Sequence, residues 1–155
     1  MPIAYILVGV PGSGKSTWIA NQMFDWNKTV VASTDGYVEQ QAKKQGKSYS
    51  DVFKSVMPDA VNHMAKTVVD AREQGLDIVW DQTSTTVQTR AKKLRMLPDY
   101  KKIAVVFPTP EEEELQRRLN SRPGKVIPDH VMQQMKRGFT MPLKDEGFDE
   151  IWHVK

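Results

Sequence analysis

Residues 9–18 read GVPGSGKSTW, and this stretch decides the fold. It contains the spacing Gly-x-x-x-x-Gly-Lys-Ser, in which glycines let the backbone turn tightly around a phosphate with its N–H groups pointing inward. Lys15 is expected to reach the β- and γ-phosphates, and the Ser16 hydroxyl to ligate Mg²⁺. The residues expected to hold the nucleotide are Gly9, Pro11, Gly12, Ser13, Gly14, Lys15, Ser16 and Thr17. The stretch predicts a site for ATP or another nucleoside triphosphate.

Strands and helices alternate around this loop. Apolar runs predict strands at residues 4–8, 29–33, 78–80, 103–107 and 151–154. Helical patterns cover residues 16–23, 50–74, 86–96, a segment from 109 onward and residues 128–137. Two local details are also predicted: a break or kink at Pro58, and a helix start with Thr109 as cap and Pro110 at the first position. The order predicts an α/β three-layer sandwich with a mostly parallel sheet of four or five strands.

Length and composition set the broader class. The 155 residues, 39% of them hydrophobic, suit one domain over residues 1–155. Cysteine is absent, which fits a reducing cytoplasm and excludes a disulfide framework. The first ten residues, MPIAYILVGV, are apolar but too short to span a membrane and lack a basic leader, so we expect a buried strand.

Asp81 ends the apolar run at residues 77–80. A carboxylate at the end of a strand beside the phosphate loop can hold Mg²⁺, although a lone aspartate there is often only a turn residue. Thr83 follows on the same edge and is a candidate substrate contact. The expected metal ligands are therefore Ser16 and Asp81.

Asp35 ends the run VVASTD and is predicted to lie near the γ-phosphate. A carboxylate there can accept the proton of an attacking hydroxyl or orient a water, whereas the alternative is a turn-forming aspartate before Gly36. Tyr37, Tyr49 and Phe53 are aromatic residues that could stack on a terminal base, although core packing is the favoured alternative for Phe53.

Arg118 and Arg122 lie four residues apart, followed by a Pro-Gly loop that carries Lys125. Arginines on a mobile lid, here about residues 117–128, can close over a triphosphate, neutralise charge that develops during transfer and exclude water. The alternative is a pair of cations at a helix C-terminus.

Basic residues cluster elsewhere too, and the formal net charge is +3. The run from Arg90 to Lys102 is typical either of a surface for nucleic acid or of a solvated helix face.

Taken together, GVPGSGKSTW, Asp35 with Tyr37, Asp81-Gln82-Thr83 and the segment from Arg118 to Pro128 resemble the 5′-kinase domain of bacteriophage polynucleotide kinases, within the P-loop kinase superfamily. The resemblance implies ATP-dependent transfer of a γ-phosphate to the 5′-hydroxyl of a DNA or RNA end, in the cytoplasm of a bacterial or phage-infected cell, in nucleic acid repair. It implies that Lys15 and Ser16 hold phosphate and metal, Asp35 is the general base, Asp81 supports the site and Arg122 contacts the transferring phosphate.

The chain departs from this pattern at Val38, where the phage family has an arginine that grips the substrate's phosphate. Lys43, Lys44 or Lys47 would have to replace that arginine. The phage enzymes also continue into a phosphatase domain, so the resemblance predicts a separate phosphatase or ligase partner; a homo-oligomer stays open.

Two other functions fit the same motifs. Small-molecule kinases of the superfamily, such as shikimate and gluconate kinases, also combine this loop with a strand-end aspartate and lid arginines. An ATP-binding switch module with slow hydrolysis is the third alternative.

Overall fold

The apolar runs form one five-stranded sheet in the computed structural model, which describes all 155 residues. The strands are β1 (Ile3–Val8), β2 (Thr29–Ala32), β3 (Asp77–Trp80), β4 (Lys101–Val106) and β5 (Glu150–His153). Their order is β2-β3-β1-β4-β5, and every neighbouring pair is parallel. The predicted α/β sandwich with a parallel sheet is confirmed, and each strand lies within two residues of its predicted bounds.

Helices cover both faces of the sheet, as parallel strands require. They are α1 (Lys15–Asn21), α2 (Asp35–Gln45), α3 (Tyr49–Gln74), α4 (Val87–Arg95), α5 (Glu112–Asn120) and α6 (Asp129–Arg137). Ile6 and its neighbours on one face pack with Met64 and Val68 of α3 and Leu94 of α4. Leu7 faces the other way, toward Trp18 of α1. No helix combines the length and hydropathy that a bilayer crossing requires.

Of the break or kink predicted at Pro58, the break is wrong, because α3 runs through the proline without interruption. Buried residues recur every four positions on both sides of the proline, including Val52, Val56, Ala60 and Met64. Pro58 itself is exposed, so water can satisfy the carbonyl that loses its N–H partner. Packing of one continuous apolar stripe outweighs the missing hydrogen bond.

The predicted start of α5 is also wrong. The helix begins at Glu112 with Glu111 as N-cap, so Thr109 does not cap it and Pro110 lies before it. Leu115 is fully buried against Val10 and Met132, and this tertiary contact sets where the helix lies. The acidic first turn nevertheless faces the positive end of the helix dipole.

Helix α2 is not among the helices predicted from the sequence, because its segment is polar and contains glycines. Its buried face is narrow, consisting of Val38 and Ala42, and it ends at Gly46 in the left-handed conformation, with φ of 64°. Consequently β2 does not extend to Asp35; the strand ends at Ala32, and Asp35 is the first residue of α2.

Candidate active site

The phosphate loop joins β1 to α1. Gly12 and Gly14 have φ of 82° and 100°, which side chains rarely adopt. A Cβ on Gly12 would also lie 3.0 Å from Cδ1 of Leu115, so helix α5 packs directly against the loop. The Ser13 hydroxyl is buried and has no hydrogen-bond partner. Backbone geometry and an unpaired hydroxyl together form the kind of cradle in which a phosphate binds.

Lys15 is folded back over this loop. Its Nζ donates to the carbonyl oxygens of Gly9 and Val10, both at 2.9 Å. Burial lowers the pKa of Lys15 to about 8; the negative charges of Asp81 and Asp35 oppose this shift, and the charge of Arg122 adds to it. The ammonium therefore lies at the loop with several charged groups close enough to influence it.

Asp81 stands directly after β3, and its backbone N–H donates to the carbonyl of Ala32 at 2.8 Å. Burial raises the pKa of the Asp81 carboxyl, an effect that Lys15 opposes and Asp35 reinforces. The carbonyl of Thr83 accepts the N–H of Gly9 at 2.9 Å, which ties this edge to the phosphate loop. Asp81 and Thr83 both line the same cleft as Lys15 and Ser16.

Asp35 is held by two groups that lie far away in the sequence. Tyr49, the first residue of α3, donates its hydroxyl to Asp35 Oδ1 at 2.5 Å. Lys125 Nζ lies 3.7 Å from Asp35 Oδ2 and 2.6 Å from Glu39 Oε1, and it stands 4.6 Å above the centre of the Tyr49 ring. Burial, then the hydrogen bond to Asp35 and the charges of Asp35 and Glu39, raises the pKa of the Tyr49 phenol. The phenol therefore remains a donor to the carboxylate.

The loop between α5 and α6 is fastened to the start of α3. The Ser50 N–H donates to the Gly124 carbonyl at 3.0 Å, and the Val126 N–H donates to Ser50 Oγ at 2.9 Å. The same turn begins with a capping box, in which Ser48 and Asp51 exchange hydrogen bonds. These contacts place Lys125 beside Asp35.

The two arginines of this region have different surroundings. Arg118 donates from Nε to Glu114 at 2.8 Å and from Nη1 to the Gly12 carbonyl at 2.9 Å, so it buttresses the phosphate loop. Arg122 lines the cleft, and its charge contributes to the lowered pKa of Lys15.

These groups surround one cleft of about 1650 Å³. It is lined by Pro11, Gly12, Ser13, Gly14, Lys15, Ser16, Thr17, Asp35, Asp81, Thr83, Arg118 and Arg122 among the predicted site residues, and also by Tyr49 and Lys125. Two predicted residues are not brought to it. Gly9 lies beneath the loop, where a Cβ would meet Ser13 Oγ at 2.6 Å.

Tyr37 is the second residue that does not line the cleft. In a helix it lies about 200° around from Asp35, and its ring stands 5.2 Å from that of His63. Asp35 and Tyr37 therefore face different sides of α2, a separation that depends on a helix absent from the sequence predictions. Val38 is fully buried with Val52, Val56 and Ala60, so this position belongs to the core.

The predicted basic segment does not form one surface. Arg90 is fully buried and Lys93 is 7% exposed. Lys102 donates to the carbonyls of Leu97 and Tyr100, both at 2.9 Å, and Lys101 pairs with Glu150. The alternative interpretation, that the residues from Arg90 to Lys102 form one solvated helix face, is also wrong, because Arg90 and Lys93 of α4 are buried.

A family model for an AAA domain, AAA_33, matches residues 5–142. The chain belongs to this AAA-domain family. Mouse heterogeneous nuclear ribonucleoprotein U-like protein 2 is 27% identical over 154 residues, which is 94% of the chain and 20% of that protein. The chain thus spans about one fifth of the length of this relative and of its human counterpart.

Solved structures with the same fold include a candidate kinase from Chloroflexus aurantiacus and a chain of the Pnkp1/Rnl/Hen1 RNA repair complex. The first has a TM-score of 0.73 at 18% identity and covers 99% of this chain and 84% of its own. The second has a TM-score of 0.63 at 22% identity, and the match covers 90% of this chain and 46% of the chain from the complex. This AAA-domain protein therefore has a P-loop kinase-like fold, and such a fold binds nucleotide at the loop that follows β1.

The residues around the loop fit ATP. Lys15 offers an ammonium, the buried Ser13 hydroxyl lacks a partner, and Ser16 and Asp81 offer oxygens to a divalent cation. No group of three or more His, Asp or Glu side chains is arranged to hold a metal by itself. Mg²⁺ would be held by Ser16 and Asp81 together with phosphate oxygens, which is its usual mode in nucleotide sites.

Proposed function

We propose that this chain is an ATP-dependent kinase that transfers the γ-phosphate to the 5′-hydroxyl of a DNA or RNA end. The observation that carries this proposal is the oriented carboxylate of Asp35, which lines the same cleft as Lys15 and is held by Tyr49 and Lys125. A module that only binds ATP has no need of a fixed base opposite its phosphate loop. The kinase-like fold and the family membership support the same class of reaction.

In the proposed reaction, Asp35 accepts the proton of the acceptor hydroxyl while that oxygen bonds to the γ-phosphorus. The bond from the γ-phosphorus to the bridging β–γ oxygen breaks, and ADP leaves. Lys15 and Arg122 offset the charge on the transferring group, and Arg118 keeps the loop in place through the Gly12 carbonyl. Mg²⁺, when bound, adds further neutralisation of phosphate charge.

We further propose that residues 117–128 act as a lid within a single kinase domain of residues 1–155. Lys125 sits on this segment and contacts both Asp35 and Glu39, so closure of the lid and orientation of the base involve the same side chain. Water exclusion by such a segment protects ATP from hydrolysis.

A nucleic acid acceptor is favoured by one relative and by one solved structure of the same fold. One is named as a ribonucleoprotein, and one solved chain belongs to an RNA repair complex. The second candidate is a small-molecule acceptor, and the burial of Val38 favours it. Val38 is fully buried and carries no charge, so the phosphate grip of the phage enzymes has no counterpart at that position.

The test offers labelled ATP with Mg²⁺ to 5′-hydroxyl oligonucleotides and, separately, to a panel of hydroxyl metabolites. Label on the oligonucleotide supports the proposal, label only on a metabolite supports the second candidate, and slow ATP hydrolysis without labelled product supports a switch module. Asp35→Asn should lower transfer by about 10²- to 10⁴-fold with little change in ATP affinity. Asp59→Asn, at an exposed position on α3, is the matched control; near-normal transfer by Asp35→Asn would remove Asp35 from this role.

A further inference from the structure

Helix α4 buries two cationic side chains, and only one of them has an anionic partner. Arg90 is fully buried and donates from Nε and Nη2 to Glu146 at 2.8 and 3.2 Å, and from Nη1 to the Ser84 carbonyl at 2.9 Å. Its guanidinium therefore has a paired charge and a carbonyl acceptor. Such an arrangement is what allows a charge to be buried.

Lys93, one helical turn later, is 7% exposed but makes no hydrogen bond or ion pair within the chain. Its ammonium lies 5.6 Å from the centre of the Trp80 ring. Burial lowers the pKa of Lys93 to about 8, and the charges of Arg90 and Lys92 add to the effect. A contact with a ring face offsets only part of the cost of burying an ammonium. Because Lys93 also lines the cleft, its unpaired charge is available to a ligand there.

Ser84 lies in the loop between β3 and α4 and has the same features. It is the only non-glycine residue with a positive φ, at 46°, and the Arg90 contact to its carbonyl holds this strained conformation. The residue is 2% exposed, its hydroxyl has no partner, and it lines the same cleft. The strained, buried Ser84 hydroxyl and the mostly buried Lys93 side chain line the same cleft without an anionic partner, which indicates a site for an anion.

This pair lies on the side of the cleft where the acceptor would bind. Ser84 follows Asp81 by three residues, and the Gln82 side-chain amide lies 3.5 Å from the hydroxyl of Thr34, which directly precedes Asp35. The loop from Asp81 to Ser84 thus runs from the edge that faces the phosphate loop, past the residue before the base, to the contact of the Ser84 carbonyl with Arg90 of α4.

We propose that Lys93 and Ser84 form a subsite for a phosphate group of the acceptor, the one nearest to the reacting hydroxyl. This inference rests on the proposed function. It provides the phosphate grip that Val38 cannot supply, from a different helix.

The experiment measures acceptor binding with the phosphate loop already filled by a non-hydrolysable ATP analogue and Mg²⁺. Calorimetry then compares a nucleoside 3′-phosphate with the same nucleoside lacking phosphate. The variants are Lys93→Met, which keeps the stem against Trp80 but loses the charge, Lys93→Arg, which keeps the charge, and Lys92→Met as a control at the exposed neighbouring position.

The phosphorylated probe should bind more tightly than the nucleoside, and Lys93→Met should weaken it by about 10- to 100-fold, the range for hydrogen bonds to charged groups. Lys93→Arg should retain most of the affinity and Lys92→Met all of it. Equal binding by wild type and Lys93→Met, or equal binding of the two probes by wild type, would overturn the subsite. A lower urea midpoint for Lys93→Met with affinity retained would likewise overturn it and assign Lys93 to packing alone. Tight, Lys93-dependent binding with no label transfer supports the subsite and counts against the Asp35 chemistry. Failure of the subsite and failure of the proposed kinase function therefore give different results.

Discussion

Replacing Tyr49 by phenylalanine tests whether the base is positioned by α3. The substitution removes only the hydroxyl that donates to Asp35 Oδ1 at 2.5 Å, and the ring keeps its packing against Phe53 at 5.6 Å between centroids. A hydrogen bond to a charged group contributes about 1.5–3 kcal/mol. The Asp35 side chain is 54% exposed, so solvent competes with Tyr49 for the carboxylate. The lower end of this energy range therefore applies. About 1.5 kcal/mol corresponds to a loss of about tenfold in the rate of transfer.

The assay is single-turnover transfer from labelled ATP to a 5′-hydroxyl oligonucleotide, together with the dissociation constant for ATP. We expect the rate to fall while ATP affinity stays within about twofold, because Tyr49 acts on the base and not on the phosphate loop. Tyr37→Phe is the matched control, since that hydroxyl belongs to α2 but does not line the cleft. Unchanged transfer by Tyr49→Phe, or an equal loss in Tyr37→Phe, would refute the reasoning.

Three further outcomes follow from the geometry. The ammonium of Lys15 has a pKa of about 8 in the free chain, and bound phosphates favour its charged form, so ATP binding takes up a proton above pH 8. Calorimetry should show ATP affinity falling by up to about tenfold per pH unit there, and Lys15→Met should lose this slope. Glu146→Ala leaves the buried Arg90 guanidinium without its counter-ion, and urea unfolding should show a loss of about 3–5 kcal/mol; a loss below about 1 kcal/mol would contradict this. Gly12→Ala should cost about 1–3 kcal/mol at its φ of 82°, whereas Gly36→Ala, in helix α2 with nothing near its Cβ position, should stabilise by about 0.5–1 kcal/mol.

Local patterns revealed much of the fold. The phosphate loop and the apolar strands have strong signatures because turn chemistry and two-sided burial restrict which residues can occupy them. Helix α2 has only Val38 and Ala42 buried, so its periodicity is weak and the lysines and Gly36 obscure it. The continuity of α3 through Pro58 depends on tertiary packing. The expectation that proline interrupts a helix considers only local hydrogen bonding.

The site was predictable only in part. Lys15 follows from the loop, Asp81 from the end of β3, and Asp35 from its place just beyond β2, since parallel strands bring their ends to one edge. The roles of Tyr49 and Lys125 depend on how the start of α3 meets the loop after α5, and no local signal reports such a contact. The burial of Lys93 depends on a tertiary contact with Trp80, and the run of basic residues around it in the sequence does not indicate that contact.

The contact of Lys125 with Asp35, Glu39 and the Tyr49 ring has a consequence for how this protein can change over time. One ammonium serves three neighbours on two helices, so substitutions at these four positions are not independent, and the effect of one depends on which residues occupy the others. Insertions in the loop that carries Lys125 are constrained as well, because Ser50 fixes its backbone on both sides of that residue. Among descendants of this sequence, residues 49 and 125 should therefore be retained together or replaced together.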